Sequence, residues 1–235
     1  MRTWVEIDKE NLKYNILKLK ELANNREVLG VVKANAYGLG SVEIAKILQE
    51  VGVNFFGLAN LEEAIELQEA GINANFLILG ASFEDELVEA TKRGIHVAIS
   101  SMQQLKLINF CKTNNLNLVG IFTHLSDSDG NTIDTKNFTL EQIEKFKNIV
   151  KDLNLKYIHI SNSAGITNFH ENILGNLVRA GIAMYSFTGN KKTPCLKNVF
   201  TIKSKVLFKK KVNKDSFVSI VLPSLSDRWV KIPTR

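Results

Sequence analysis

The sequence predicts an α/β protein in which helical crossovers wrap a parallel sheet. From residue 28 to residue 185, short β-rich runs alternate with stretches of helical length, the pattern of successive βα units. The phrases Val51-Gly52-Val53, Ala70-Gly71-Ile72 and Arg93-Gly94-Ile95 echo one another, each a glycine helix stop followed by strand entry. They report βα units, since no fixed-period repeat follows. The chain has 235 residues, 45% hydrophobic and 23% charged, enough for one barrel-sized domain with a sizeable core.

A strand at residues 4–8 and an amphipathic helix at 9–23 precede the sheet. Seven strand candidates then follow, at 28–33, 53–59, 75–80, 95–100, 118–125, 157–161 and 177–185. Between them Asn60-Leu61-Glu62-Glu63, Ser101-Met102-Gln103-Gln104 and Thr139-Leu140-Glu141-Gln142 resemble capping boxes and mark helix starts. Residues 198–222, with Val199, Ile202, Val206, Val212, Val218 and Ile220, have the β-branched content of two or three strands around a turn at Asn213-Lys214-Asp215-Ser216.

Composition narrows the function classes. The first residues lack the long apolar stretch of a signal peptide and no run reaches membrane-spanning length, so a cytoplasmic protein is expected. Cys111 and Cys195 have neither pairing nor ligand spacing, which argues against a disulfide framework and a metal site. Residues 1–186 hold 18 basic and 22 acidic side chains, whereas residues 187–235 hold 12 and 2. A run such as Lys209-Lys210-Lys211 could contact nucleic acid or anionic lipid; a solvated strand face is the plainer reading.

The stretch Val31-Val32-Lys33-Ala34-Asn35-Ala36-Tyr37-Gly38-Leu39-Gly40 carries the chemistry. It places a lysine where a buried parallel strand exits into a βα loop. Burial there lowers a lysine's pKa and frees the amine to attack a carbonyl and form a Schiff base. Alternatively, the stem lies on the apolar wall and the head snorkels to solvent.

The string Val32-Lys33-Ala34-Asn35-Ala36-Tyr37-Gly38 closely resembles the pyridoxal-phosphate lysine motif of the alanine racemase family. The resemblance implies that Lys33 is catalytic and carries the cofactor covalently, and that the Tyr37 hydroxyl donates to its phosphate. Outside the resemblance Tyr37 is an aromatic flank of a glycine turn. His159-Ile160-Ser161-Asn162-Ser163-Ala164-Gly165 leaves a strand in a run of small polar residues and resembles the family's phosphate-loop segment, with Asn162 and Ser163 as cofactor contacts. Simple helix capping is the alternative. In Asn176-Leu177-Val178-Arg179-Ala180-Gly181-Ile182-Ala183-Met184-Tyr185 an arginine interrupts an apolar strand. The resemblance makes Arg179 the donor to the pyridine nitrogen and gives the phosphate to the amides of Gly181 and Ile182. A structural ion pair is the other reading of Arg179. His124 matches a family histidine that orients this arginine, although a lone strand histidine is more often a satisfied core residue. All these residues fall at or near the C-terminal ends of candidate strands, the catalytic face of a βα barrel.

The family fold is a TIM-type (β/α)8 barrel followed by a β-rich domain, and this chain departs from it in two places. Only one helical stretch, residues 101–115, separates the fourth strand candidate from Leu118, so one βα unit is missing. In the family that interval carries a Lys-x-Asp-Thr-Gly-Met signature, an arginine contacting substrate and cofactor, and a lysine often carbamylated; no such string occurs here. Omitting a strand would force its neighbours to re-pair or leave two edges. At the other departure, Lys214-Asp215-Ser216-Phe217-Val218-Ser219 fits the family up to an expected Tyr-Gly pair, where Ile220-Val221-Leu222 follows. The expected organisation is a barrel over 1–186, the start of a rudimentary β-rich segment over 187–222, and an unmatched tail over 223–235.

The resemblance thus implies a pyridoxal 5'-phosphate-dependent isomerase interconverting L- and D-alanine, impaired by the missing segments because the family's second catalytic group is a tyrosine of the partner subunit. The alternative is a non-catalytic cofactor-binding barrel like the pyridoxal-phosphate homeostasis proteins. The expected partners are alanine and, with oligomeric state open, a second copy of the chain; neither nucleic acid nor membrane is expected.

Overall fold

The computed structural model describes residues 2–98, 118–187 and 195–209. The chain divides into two compact units, Val5–Thr201 and a small one formed by Met1–Trp4 with Ile202–Arg235. In the small unit the Lys205 amide donates to Arg2 O at 3.0 Å, and the Thr3 and Ser204 hydroxyls lie 3.2 Å apart.

Strand β1 (Thr3–Ile7) and helix α1 (Lys9–Leu22) open the chain, with Asp8 capping α1 by accepting the Asn11 amide at 2.9 Å. Then come β2 (Glu27–Val31), α2 (Ser41–Glu50), β3 (Phe55–Leu58), α3 (Leu61–Glu69), β4 (Asn75–Ile78), α4 (Glu84–Lys92) and β5 (His96–Val97). After residues 99–117 come β6 (Gly120–Phe122), α5 (Ile133–Val150), β7 (Tyr157–His159), α6 (Ser163–Asn168), β8 (Leu177–Ala180) and β9 (Phe200–Ser204). Strand β9 pairs with β1. The expected helix start at Ser101, the end of the 95–100 strand, Cys111, and the β-rich residues from 210 onward lie outside the described residues.

Strands β5-β4-β3-β2-β8 form one parallel sheet, and β6-β7 a second parallel pair. Between β7 and β8 the pairing is carried by other bonds. The Arg179 amide donates to Ser161 O at 2.9 Å, and the Asn176 side chain accepts the Ile158 amide and donates to Lys156 O. Among the described residues β5 pairs only with β4, and β6 only with β7. This is the seam where the sequence lacks a βα unit.

Alternation along the strands sorts two apolar layers. Leu29, Val31, Phe55, Leu77, Tyr157 and Leu177 pack together inside the curved sheet. Val28, Phe56, Phe76, Ile78 and Val178 face the helices and join Leu12, Ile16, Ile44, Leu48, Ala64 and Leu67 in the main core. Gly57 is required inside, because a Cβ there would stand 2.5 Å from Leu29 Cδ2. Arg179 follows inward Leu177 by two residues, which sets its side chain inside the sheet as well.

All seven strand candidates are strands, but their ends differ. The run 177–185 stops at Ala180, because Gly181 (φ −116°, ψ −111°) turns the chain into a 3₁₀ turn at Ile182–Tyr185. Helix α3 starts at Asn60 as expected, with its side chain accepting the Glu63 amide at 3.1 Å. Gly52, Gly71 and Gly94 end helices with φ of 75°, 80° and 69°. Thr139 is not a helix start. Thr132 caps α5 through Thr135, and buried Thr139 sits within the helix, where its hydroxyl donates to the Thr135 and Asp127 carbonyls.

Candidate active site

Because the strands are parallel, the segments leaving their C-terminal ends share one face. Lys33 lies two residues beyond β2, His124 two beyond β6, Asn162 and Ser163 just beyond β7, and Gly181 and Ile182 just beyond β8.

Just after Lys33, the backbone from Ala34 to Gly38 is a left-handed turn. Ala34, Asn35, Ala36 and Tyr37 have φ of 52°, 53°, 52° and 57°, and Gly38 has 88°. Left-handed geometry costs an L-residue roughly 1–2 kcal/mol, so four in succession need external support. Asn35 supplies some by accepting the Ser41 amide at 2.8 Å through its side chain, and Glu63 accepts the Ala34 amide at 2.7 Å. Lys33 itself is exposed. The desolvated amine expected at this strand exit is not what the fold builds, because the turn carries the residue out beyond the strand's buried end.

Tyr37, 41% exposed, lies edge-on to buried Tyr185 with ring centroids 5.9 Å apart, and burial pushes its pKa up. Its hydroxyl reaches β8's exit, where a Cβ on Gly181 would stand 3.0 Å from Tyr37 Oη and 3.5 Å from Ser163 Oγ. Ser163 Oγ accepts the amides of Gly181 (3.0 Å) and Ala183 (3.1 Å). With both lone pairs engaged, that hydroxyl keeps its proton as a donor. The Gly181 amide is therefore occupied by Ser163, while the Ile182 amide, first in its 3₁₀ turn, has no backbone partner among the described residues. Among the described residues the buried Tyr185 hydroxyl meets no hydrogen-bond partner.

Arg179 is 3% exposed. Its guanidinium donates to Thr123 O (2.8 Å), Ile160 O (3.1 Å) and His159 Nδ1 (2.9 Å), and lies 5.2 Å from the centre of the Phe122 ring. The structural ion pair considered for it does not form: no carboxylate meets Arg179 among the described residues. Burial lowers its pKa to about 10, which leaves it a cation at neutral pH. Burial and the neighbouring guanidinium hold His159 down to about 3, so its imidazole is neutral and accepts from the arginine. His159 also stacks on Phe122 at 4.9 Å.

His124 sits at the exposed edge of this network, 3.4 Å from Arg179 Nη2 through Nδ1 and 3.3 Å from Asn162 Nδ2 through Nε2. A neutral imidazole has one lone pair to offer, so only one of these contacts is a hydrogen bond at a time. Burial first, then the charges of Arg179 and Lys33, lower the His124 pKa. Asn162 is locked by its other bonds, its Oδ1 accepting the Gly165 amide and the Ser128 hydroxyl, each at 2.9 Å.

The structure thus gathers Tyr37, Ser163, Gly181 and Ile182 in one cluster and His124, Asn162 and Arg179 in another, with Lys33 close enough to His124 to influence it. Sequence reasoning missed His159 as the principal side-chain partner of Arg179. The available signal was alternation, since Tyr157 and His159 share the inward face of β7. A buried cation held by neutral acceptors thus lies near a cluster of hydroxyls and amides beyond the strands' C-terminal ends, a set of donors suited to an anionic group.

The comparisons with known proteins give the family. The model of the alanine racemase N-terminal domain matches residues 7–114 and 105–188, and the chain belongs to the alanine racemase family, whose N-terminal domain is a TIM barrel. An alanine racemase of Fusobacterium nucleatum subsp. nucleatum is 73% identical over 250 residues, which cover 93% of this chain and 71% of that protein. Among solved structures, the alanine racemase of Clostridium difficile 630 superposes with a TM-score of 0.80 at 25% identity, covering 93% of this chain and 68% of that one. The alanine racemase of Bartonella henselae, solved with covalently bound pyridoxal phosphate, has the same fold (TM-score 0.78, 23% identity, 93% of this chain and 70% of that one).

The internal departure reappears here. The Fusobacterium alignment spans 250 residues but draws on 93% of 235, or about 218, so about 32 positions have no counterpart in this chain. That is the size of one βα unit. The family model breaks into two matches at residues 105–114, within the same interval.

Proposed function

We propose that this chain is a pyridoxal-phosphate-dependent isomerase that interconverts L- and D-alanine, supplying D-alanine for the cell wall, with Lys33 as its cofactor lysine. The observation that carries the reading is the convergence of Tyr37, Ser163, Gly181 and Ile182 beyond strand C-termini, on the face that bears Lys33 and next to Arg179 near the end of β8's buried run.

The residues fit the cofactor. The space that a Cβ on Gly181 would fill lies between two hydroxyls, and the Ile182 amide and Ser163 proton remain to donate to phosphate oxygens. Arg179 stays protonated, so as donor to a pyridine nitrogen it leaves that nitrogen largely unprotonated. When bound, pyridoxal phosphate supplies an electron sink for charge developing at the substrate α-carbon. His159 and the Thr123 and Ile160 carbonyls hold the guanidinium in place, Asn162 holds His124, and the Lys33 amine moves the proton on one face of the α-carbon. The second face needs another acid–base group, which the family resemblance assigns to a tyrosine of a partner subunit. In this sequence Ile220-Val221-Leu222 stands where that residue is expected, so a cytoplasmic homodimer of this chain would still lack the second group. Among the described residues no helix is long and apolar enough to cross a membrane.

A positioned acid or base is worth ~10²–10⁴-fold, so the loss of that tyrosine, with the arginine carried by the missing interval gone as well, lowers the rate severely. The test is titration with pyridoxal phosphate, followed by incubation with L-alanine in deuterium oxide. A saturable visible band, lost in Lys33→Ala, together with deuterium at the α-carbon supports the reading; D-alanine formation measures how much two-face chemistry survives. Folded protein that gives no band overturns it, and a band without α-exchange would favour the non-catalytic barrel.

A further inference from the structure

The left-handed turn behind Lys33 is tied to the sheet by one side chain from another element. In an ordinary capping box the carboxylate at the third helical position turns back to the N-cap amide. At α3 the first half of the box is present, with Asn60 Oδ1 accepting the Glu63 amide at 3.1 Å. Glu63 does not return the bond to Asn60. Its Oε2 accepts the Ala59 amide at 2.8 Å, and its Oε1 crosses to the Ala34 amide at 2.7 Å.

These two amides belong to unlike segments. Ala59 directly follows β3, whose pairing with β4 extends to the Leu79 amide donating to Leu58 O at 2.8 Å. Ala34 directly follows Lys33 and is the first of the four left-handed residues. Just before Lys33 the Val32 amide donates to Gly57 O of β3 at 3.0 Å; from Lys33 onward the other main-chain bonds are local, Ala36 to Val32, Leu39 to Ala36, Gly40 to Asn35, and Ser41 to the Asn35 side chain. A half-buried carboxylate accepting two amides makes short, charge-assisted bonds, so Glu63 couples the strained turn to the fixed end of a strand.

We propose that Glu63 is a positioning residue for Lys33, its carboxylate bridging the Ala34 and Ala59 amides and so fixing the turn from which the reactive amine projects. This rests on Lys33 being the cofactor lysine. Glu63→Gln keeps one acceptor oxygen and hence one bond, Glu63→Ala keeps neither, and Glu62→Ala on the same helix is the control.

Two measurements separate the possibilities. The first, made without cofactor, is amide hydrogen exchange resolved at Ala34 and Ala59. Exchange should quicken by about tenfold or more in Glu63→Ala, less in Glu63→Gln and not in Glu62→Ala, while the β2 and β4 amides keep their protection. The second is covalent capture of pyridoxal phosphate on Lys33 by borohydride, read by mass spectrometry. The half-saturating concentration should rise by about tenfold in Glu63→Ala, the weight of a lost charge-assisted bond, and by less in Glu63→Gln. Unchanged exchange at Ala34 overturns the proposal. Faster exchange throughout the sheet with a lowered melting temperature also overturns it, since Glu63 would then serve the fold at large. Local loosening with unchanged capture would sever Glu63 from Lys33. If the wild type itself shows no capture, the reading of Lys33 fails, and exchange at Ala34 still decides whether Glu63 holds the turn.

Discussion

Arg179 and Lys33 are the two cations of the candidate site, and the fold treats them in opposite ways. Arg179 points inside the sheet, 3% exposed, with His159, two main-chain carbonyls and an aromatic face around it. Lys33 stands exposed on a strained turn pinned by Glu63. One is over-determined because a buried guanidinium must satisfy its donors within the protein. The other is left free because an amine that must change bonding partners cannot be locked into one. On the proposed reading, the barrel interior fixes what binds and the loop beyond it carries what reacts.

The sharpest way to break this contrast is Lys33→Ala. Covalent capture and α-proton exchange should disappear, whereas unfolding free energy in urea should stay within about 0.5 kcal/mol, as for an exposed side chain outside the core. A large loss of stability would mean that Lys33 is structural after all. Arg179→Ala should show the converse balance. It strands the Thr123 and Ile160 carbonyls and His159 Nδ1 in a buried pocket, at about 1–3 kcal/mol per unsatisfied group before water enters, so a net loss near 3 kcal/mol is expected in the same melts. Arg179→Lys should recover only part of it, because an ammonium cannot span three acceptors in a plane.

Acid should act on the buried side first. In the unfolded chain His159 titrates near its ordinary value of 6.5, and in the folded protein near 3. The unfolded state therefore binds the extra proton between these values. His159 contributes no penalty above pH 6.5, and stability falls as pH drops through the window, by at most about 1.4 kcal/mol per pH unit from this group. His124 and His96, both lowered chiefly by burial, act in the same direction. Urea melts at pH 7.5 and 5 should show the loss, and His159→Asn should reduce it; an equal pH dependence in that variant would take His159 out of the explanation.

The same contrast explains what could be read from sequence. Strands and helix stops were legible because apolar runs and the glycines at 52, 71 and 94 report local backbone needs. Arg179 stood out because an arginine interrupts an apolar strand, and the resemblance gave it a role. Its neutral partners did not, because His159 belongs to a different strand, and β7 and β8 meet through single bonds such as Arg179 to Ser161 O that no local pattern marks. The 177–185 run looked continuous because apolar content hides the break at Gly181. Thr139 mimicked a cap because its hydroxyl can serve either a free amide or a carbonyl of its own helix. The left-handed turn was the least legible element, since Ala34, Ala36 and Tyr37 have no intrinsic preference for it. Only Gly38 and Gly40 hinted that the chain turns there.

That turn permits the finest test of the comparison. Gly38 has φ of 88° with nothing within 4 Å of a would-be Cβ, so Gly38→Ala meets no steric contact; backbone strain of roughly 1–2 kcal/mol against a stiffer unfolded chain worth about 0.4–1 kcal/mol leaves about 1 kcal/mol of destabilisation. Ala34, at φ 52°, already bears that strain. Ala34→Gly relieves it in the folded state while loosening the unfolded chain by about 0.4–1 kcal/mol, so the two terms nearly cancel or leave a small gain. Opposite signs, or a difference of about 1 kcal/mol between the two variants in paired urea melts, would confirm that the segment carrying Lys33 stores strain. If Ala34→Gly costs as much as Gly38→Ala, the turn is relaxed, and the support from Glu63 has no strain to hold.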